Sequence, residues 1–219
     1  NEFPKTFDYE PGYTAGGLDA LVFDGPNYTT QNNGVSRAEL RHLLKTWVAT
    51  FFFTDKMRTK PIVLMHGTQG SGKTTMFQCL SVMLTGDDTH VVTDIPKDSK
   101  EFDNQVTQSS YLFYDNVEVN KKEMQVKLAQ VATGYTVKQR KLYTTNDLVS
   151  TKARSFVGIS SRTVQKIQDD VVQRYLIVPL HAFTDDPNHQ MEPLDKILQR
   201  VLDKRNALWS ELLDFVNKL

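Results

Sequence analysis

The chain has 219 residues, enough for one domain with small additions and for a sizeable apolar core. Hydrophobic residues make up 39% and charged residues 24%, as in ordinary globular proteins, and 26 Lys plus Arg balance 26 Asp plus Glu, so any basic surface has to be local. No apolar run approaches the roughly 18 residues of a bilayer span, and the single cysteine, Cys79, excludes an internal disulfide and fits a reducing compartment such as the cytoplasm.

Residues 1–34 are rich in Gly, Pro, Asn, Thr and Tyr and read as an arm or irregular lead-in, with one short strand at 21–23. The chain starts at Asn1 with no secretory signal before the fold, which reads as a fragment of a longer protein. Residues 35–219 then read as one domain. Ser36 and Glu39 form a capping-box pair, and apolar positions from Leu40 to Phe51 recur at helical spacing, which predicts a helix over 37–53. Residues 61–66 (PIVLMH) are a continuously apolar strand, followed by a Gly-rich turn and a helix over 73–84. A second buried strand, 111–114 (YLFY), ends at Asp115, and a helix over 121–133 follows. Segments 135–143 and 148–153 alternate well enough for a hairpin around the turn residues 144–147. Strands at 156–160 and 175–180 and a terminal helix over 194–219, with room for a break, complete the order. Apolar strands alternating with helices predict an α/β fold: a mainly parallel sheet covered on both faces, with a hairpin added before the strand at 156–160.

The turn between the first strand and its helix reads Gly67, Thr68, Gln69, Gly70, Ser71, Gly72, Lys73, Thr74, Thr75 and matches G-x-x-x-x-G-K-[ST] in full. Glycines let successive backbone N–H groups converge on phosphate oxygens, and the next helix aims its positive end at the same anion. In such loops the lysine, here Lys73, reaches the β- and γ-phosphates and the hydroxyl, here Thr74, ligates Mg²⁺. The ligand this predicts is ATP with Mg²⁺. The motif's placement between a strand and a helix argues against a chance match. Asp115, at the end of the neighbouring strand, is the expected second metal-side group; its plainer reading is a turn or cap aspartate. The next acid is Glu118, because Asn116 stands directly after Asp115. Glu118 serves as the base, Asn116 only positions water, or turnover is slow. Ser160 and Ser161 end the strand that precedes a polar turn, and Ser160 is a candidate for touching the terminal phosphate. Arg174, just before the last strand, is a candidate arginine finger, with a surface ion pair to Asp169 or Asp170 as its plainer role. Arg162 is a second candidate. Cys79 reads as a small core residue and the five histidines show no metal-ligand spacing.

With these parts in place, four segments resemble the ATPase domains of phage-type and mobile-element primase–helicases, near the superfamily 3 helicases of the AAA+ class. They are residues 67–75, 112–118 (LFYDNVE), 132–143 (ATGYTVKQRKLY) and 156–180 with DVVQRY at 170–175. The resemblance implies a hexameric ring with ATP held between subunits and Arg174 reaching a neighbour's nucleotide. It also implies that residues 134–153 form a hairpin in the central channel, where Lys138, Arg140 and Lys141 meet single-stranded DNA and Tyr135 and Tyr143 stack on bases. A solvated basic hairpin is the plainer alternative. An upstream primase domain and replication proteins are the implied partners, and no membrane is. Asn116 and the Ser160–Ser161 pair depart from the family pattern of an acid and an asparagine. Two other classes stay open: a small-molecule kinase of the nucleotide type, against which stands the lack of an Arg-rich lid, and an assembly switch with weak hydrolysis.

Overall fold

The structure, a computed structural model, describes residues 6–9, 17–29, 34–87, 92–118, 122–140, 148–153, 155–162, 167–183 and 192–219. Five strands make one parallel sheet: β1 (Ile62–Gly67), β2 (Thr93–Asp94), β3 (Tyr111–Asp115), β6 (Phe156–Ser161) and β7 (Tyr175–Leu180), in the order β2-β3-β6-β1-β7. β4 (Thr136–Arg140) and β5 (Leu148–Lys152) pair antiparallel as a separate ribbon. The helices are α1 (Arg37–Ala49), α2 (Lys73–Thr85), α3 (Ser99–Gln108), α4 (Lys122–Thr133), α5 (Asp169–Val172), α6 (Leu194–Asp203) and α7 (Arg205–Val216).

The strands alternate between two cores because successive side chains point to opposite faces. Val63 and Met65 of β1, Phe113 of β3, Phe156 of β6 and Val178 of β7 enter one core with Leu44, Trp47 and Val48 of α1, the apolar face of α2, and Leu208 and Leu212 of α7. Ile62, Leu64, Tyr114, Val157 and Ile159 enter the other, with Phe102 and Val106 of α3 and Leu128 and Val131 of α4. The layering is therefore helices, sheet, helices, as the continuous apolar strands predict.

Most element boundaries match the sequence reading, with two differences of kind. Residues 21–23 are not a strand: Asp19–Phe23 is a π-helical turn, with Val22 and Phe23 buried, that packs on α1, α2 and α6. Three apolar residues in a row suit a strand or a buried turn equally, and packing on three helices decided the matter. Residues 93–108 carry β2 and α3, which the sequence reading leaves blank. The α3 segment SKEFDNQVTQ buries only Phe102 and Val106, so its helical stripe is two residues wide. Its start is fixed by Asp98, whose carboxylate accepts from Lys100 N at 3.0 Å. The break in the terminal helix falls at Lys204.

The phosphate-loop helix α2 is clamped at its far end. Arg205, 7% exposed, donates from Nε to Met83 O at 2.8 Å and from Nη2 to Leu84 O at 3.3 Å. Trp209 Nε1 donates to Met83 O at 2.8 Å. These donors satisfy last-turn carbonyls and set a cation at the negative end of the helix dipole. They leave the opposite, positive end of α2 directed at the loop.

Candidate nucleotide site

All five sheet strands run the same way, so their carboxyl ends share one edge, and the loop Gly67–Gly72 leaves β1 there. Backbone sterics require at least two of its glycines. A Cβ on Gly67 would lie 2.2 Å from Leu180 O, and one on Gly72 would lie 2.8 Å from Gly25 O, with Gly72 at φ +85°. Gly72 caps α2 without a side chain, and no acidic residue occupies the first turn, so the first N–H groups of α2 face the loop. Lys73 is 7% exposed and donates to Gly67 O (2.7 Å), Thr68 O (2.7 Å) and Ser71 Oγ (3.0 Å), which curls the loop around its ammonium. Burial holds the Lys73 pKa below its ordinary value; Asp115 opposes that shift and the positive charge of Arg162 adds to it. Gln69 and Thr68 are exposed, Gly70 and Thr75 half-buried.

The next strand but one, β3, delivers Asp115. The Thr74 hydroxyl lies 3.1 and 3.0 Å from its two carboxylate oxygens. β6 lies between β1 and β3, and Ser160, fully buried on it, donates its hydroxyl to the same carboxylate. The turn beyond Asp115 is tied to β6 as well. Asn116 N donates to Asp115 Oδ1 (2.9 Å) and lies 3.2 Å from Ser160 Oγ, and Val117 N donates to Ser160 O (2.8 Å). Asn116 sits at φ +49°, the left-handed region that asparagine tolerates better than most residues. Its side chain is exposed, as is that of Glu118; among the described residues Glu118 forms no hydrogen bond with the Thr74–Asp115 pair.

A hydroxyl and a carboxylate in contact at the mouth of a backbone-lined anion loop form the donor set that suits Mg²⁺. That ion takes one or two protein oxygens and fills its remaining positions from phosphate and water. Consistent with this, no group of three or more His, Cys, Asp or Glu among the described residues could hold a metal by itself.

The lead-in adds contacts that motif reading misses. Asn27 N donates to Ser71 O (3.1 Å), Phe183 N to Gly70 O (3.2 Å) and His181 N to Asn27 O (2.8 Å); Tyr28 bridges Leu180. Residues 24–29 thus strap the phosphate loop to the segment after β7. The close approach is permitted by glycine at 72, where a Cβ would lie 2.8 Å from Gly25 O and 3.0 Å from Pro26 Cα, whereas a Cβ on Gly25 would meet nothing within 4 Å.

The other candidates lie at the opposite edge. Arg174 precedes Tyr175, which pairs with Ile62 at the start of β1. It is therefore a strand length, about 17 Å, from the phosphate loop of its own chain. Half-buried, it donates from Nη1 to Ala129 O of α4 at 2.9 Å. No ion pair with Asp169 or Asp170 forms among the described residues. Lys138 is exposed on β4, opposite Ser150; Lys152 is exposed opposite Thr136. Arg140 pairs in register with Leu148. Lys141, Tyr143 and the turn 144–147 lie outside the described residues. Tyr135, expected as a stacking residue, donates its hydroxyl to Asp103 of α3 and is half-buried, so it anchors the ribbon. A cleft of about 230 Å³ opens at the ribbon base, lined among others by Arg58, Lys60, Tyr135 and Lys152. Cys79 is 2% exposed in the core, as expected.

Comparison with known proteins agrees with this fold. The structures of the NrS-1 C-terminal region superpose on nearly the whole chain. One apo form matches at a TM-score of 0.56 with 16% identity, covering 96% of this chain and 47% of the other. The apo form of residues 305–718 matches at 0.57 with 15% identity, covering 95% and 48%. The chain thus spans about half the length of the structures it matches. No curated protein matches it in sequence. The family model described as "AAA domain" matches residues 49–217, which includes the phosphate loop, Asp115, Ser160 and Arg174. The chain belongs to the AAA domain family of nucleotide-binding P-loop ATPases.

Proposed function

We propose that this chain is the ATP-driven motor of a ring-forming helicase or translocase acting on single-stranded DNA, in the replication of a phage or other mobile element. One observation carries the reading. The amino edge of the sheet bears both a projecting basic ribbon and Arg174, a strand length from the only phosphate loop among the described residues. An arginine so placed cannot serve its own nucleotide. It can serve a neighbour's if chains pack head to tail, the arrangement that closes into rings. Lys73, Thr74 and Asp115 hold ATP and Mg²⁺ on one subunit, and Arg174 stabilises charge developing on the terminal phosphate from the next. Asp115 and Thr74 position the metal, and Ser160 holds the carboxylate in place. Asn116 orients water, and Glu118 is the next acid after Asp115 in sequence. The ribbon, with Lys138, Arg140 and Lys141 and with Lys152 on its other strand, neutralises DNA phosphates. The setting that fits is the cytoplasm of a bacterium or host, with an upstream primase domain or other replication proteins as partners.

A slow assembly switch is the second reading, favoured by Asn116 at the position where an acid would activate water. Turnover per chain, measured across protein concentration with and without single-stranded DNA, separates the two. A specific rate that climbs with concentration and with DNA supports the motor. A flat, slow rate that ignores DNA supports the switch.

A further inference from the structure

We propose that the cleft at the ribbon base seats one phosphate of a single-stranded DNA backbone, held by Arg58 and Lys152. The DNA-contacting surface then runs from the ribbon onto the segment between α1 and β1. This rests on the reading of the chain as a single-stranded DNA motor, and it adds a binding residue, Arg58, that the ribbon does not contain.

Three segments build the cleft. Residues 54–60 lead into β1, residues 131–134 end α4, and the ribbon base brings Tyr135, Thr136, Lys152 and Ala153. Backbone bonds fix them together: Lys60 N donates to Ala132 O at 2.7 Å and Ala153 N to Tyr135 O at 2.9 Å. Walls already in place lower the ordering cost of binding. The volume, about 230 Å³, falls below the roughly 300 Å³ at which clefts begin to enclose drug-sized ligands. The space therefore suits one phosphate with its sugar rather than a whole free nucleotide.

Charge selects an anion. Arg58, Lys60 and Lys152 stand in the lining against one acid, Asp55, in a chain whose charges balance as a whole. Arg58 and Lys152 are exposed, while Lys60 is buried with its ammonium 4.8 Å from the Phe156 ring centroid. Two cations are thus accessible to a ligand, and a third adds its field from within the wall. Arginine, lysine and threonine are donors that phosphate oxygens accept from, and Thr136 pairs directly with Lys152.

Register selects a polymer. Thr136 pairs with Lys152 and Lys138 with Ser150, so these four residues share one ribbon face, opposite the buried Val137. Thr136 and Lys152 line the cleft, which places Lys138 on the face that opens from it, two residues or about 7 Å along β4. Arg58, Lys152 and Lys138 form one stripe of cations. An extended polyanion laid along the ribbon reaches the cleft at its base, whereas a compact anion would leave the stripe unused.

The test is anisotropy of fluorescein-labelled oligo-dT, titrated with the full chain, Mg²⁺ and a non-hydrolysable ATP analogue over a series of salt concentrations. The unaltered chain is compared with Arg58→Ala, Arg58→Lys and Lys138→Ala. Each alanine variant is expected to weaken binding about 3- to 10-fold. Each should also lower the slope of log affinity against log salt by about 0.7, the share of one phosphate contact on a single strand. Arg58→Lys should keep the slope, since it keeps the charge. If Arg58→Ala matches the unaltered chain in affinity and slope, the proposal is overturned; a loss confined to Lys138→Ala would leave the ribbon reading standing. A weaker Arg58→Ala with an unchanged slope overturns it too, because the residue then acts through the fold and not on a phosphate. If the unaltered chain binds no oligo-dT, the DNA reading fails and this proposal with it. Melting curves check that substitutions at the exposed Arg58 leave the fold unchanged.

Discussion

At the carboxyl edge of the sheet, Thr74, Asp115, Ser160 and the backbone of Asn116 and Val117 join in one hydrogen-bonded group spanning three elements. At the amino edge, the Arg174 guanidinium donates to a helix carbonyl, and Lys138 and Lys152 are exposed on a two-stranded ribbon. Groups of the first edge satisfy one another within the chain and are pre-organised for an anion and a metal. The second edge exposes Lys138 and Lys152, while Arg174 is half-buried against α4. In the proposed function the first edge is the nucleotide site and the second completes the site of a neighbouring subunit.

The largest expected effects come from the first edge. Lys73→Ala should abolish measurable nucleotide binding. Asp115→Asn should lower turnover by about 100- to 1000-fold while leaving metal-free nucleotide binding nearly intact. If both variants instead hydrolyse ATP normally, the carboxyl edge is not the site. Next comes Arg174→Ala, expected to lower the rate of the assembled protein about a thousandfold with little effect on nucleotide affinity. An affinity loss as large as the rate loss would place Arg174 in its own chain's site and erase the difference between the edges.

Smaller effects test the scaffold beneath the loop. A Cβ at Gly158 would lie 2.7 Å from Phe77 Cε1 and 2.9 Å from Phe113 Cδ1, so Gly158→Ala should destabilise the fold by about 1–3 kcal/mol in urea unfolding. Tyr135→Phe removes the bond between the ribbon base and α3, at a cost of about 1 kcal/mol. Because α3 also holds Tyr114, one residue before Asp115, through Gln105 Oε1 at 2.6 Å, the same variant should reduce stimulation of ATPase by DNA more than the basal rate. Smallest of all, burial raises the Cys79 thiol pKa to about 12. The folded chain should therefore stay unlabelled by thiol reagents at pH 8 and react only on unfolding.

How much of this was legible in the sequence depended on whether the cause was local. The phosphate loop announced itself because its glycines, lysine and threonine are contiguous, and the strands because buried parallel strands are continuously apolar. The capping box at Ser36 and Glu39 is closed in the structure, with Ser36 N donating to Glu39 Oε2 at 2.7 Å. What stayed hidden was set by tertiary contact. The strap at residues 24–29 has meaning only beside Gly72, and α3 has too narrow an apolar stripe to read alone. Ser160 could be suspected from its strand end, but its bond to Asp115 follows from β6 lying between β1 and β3, a sheet order that sequence order conceals. Arg162 and Arg174 look alike as neighbours of strands; only the strand direction shows that they sit at opposite edges.

The most direct test of the account mixes two disabled chains. Lys73→Ala lacks a working loop but keeps Arg174, and Arg174→Ala keeps the loop but lacks the arginine. If one subunit's edge completes the next subunit's site, an equimolar mixture should recover activity at about a quarter of its interfaces, although neither chain is active alone. Recovery on mixing is the predicted result. If both chains associate and the mixture stays as inactive as its parts, Arg174 does not act across subunits and the shared-site account is wrong.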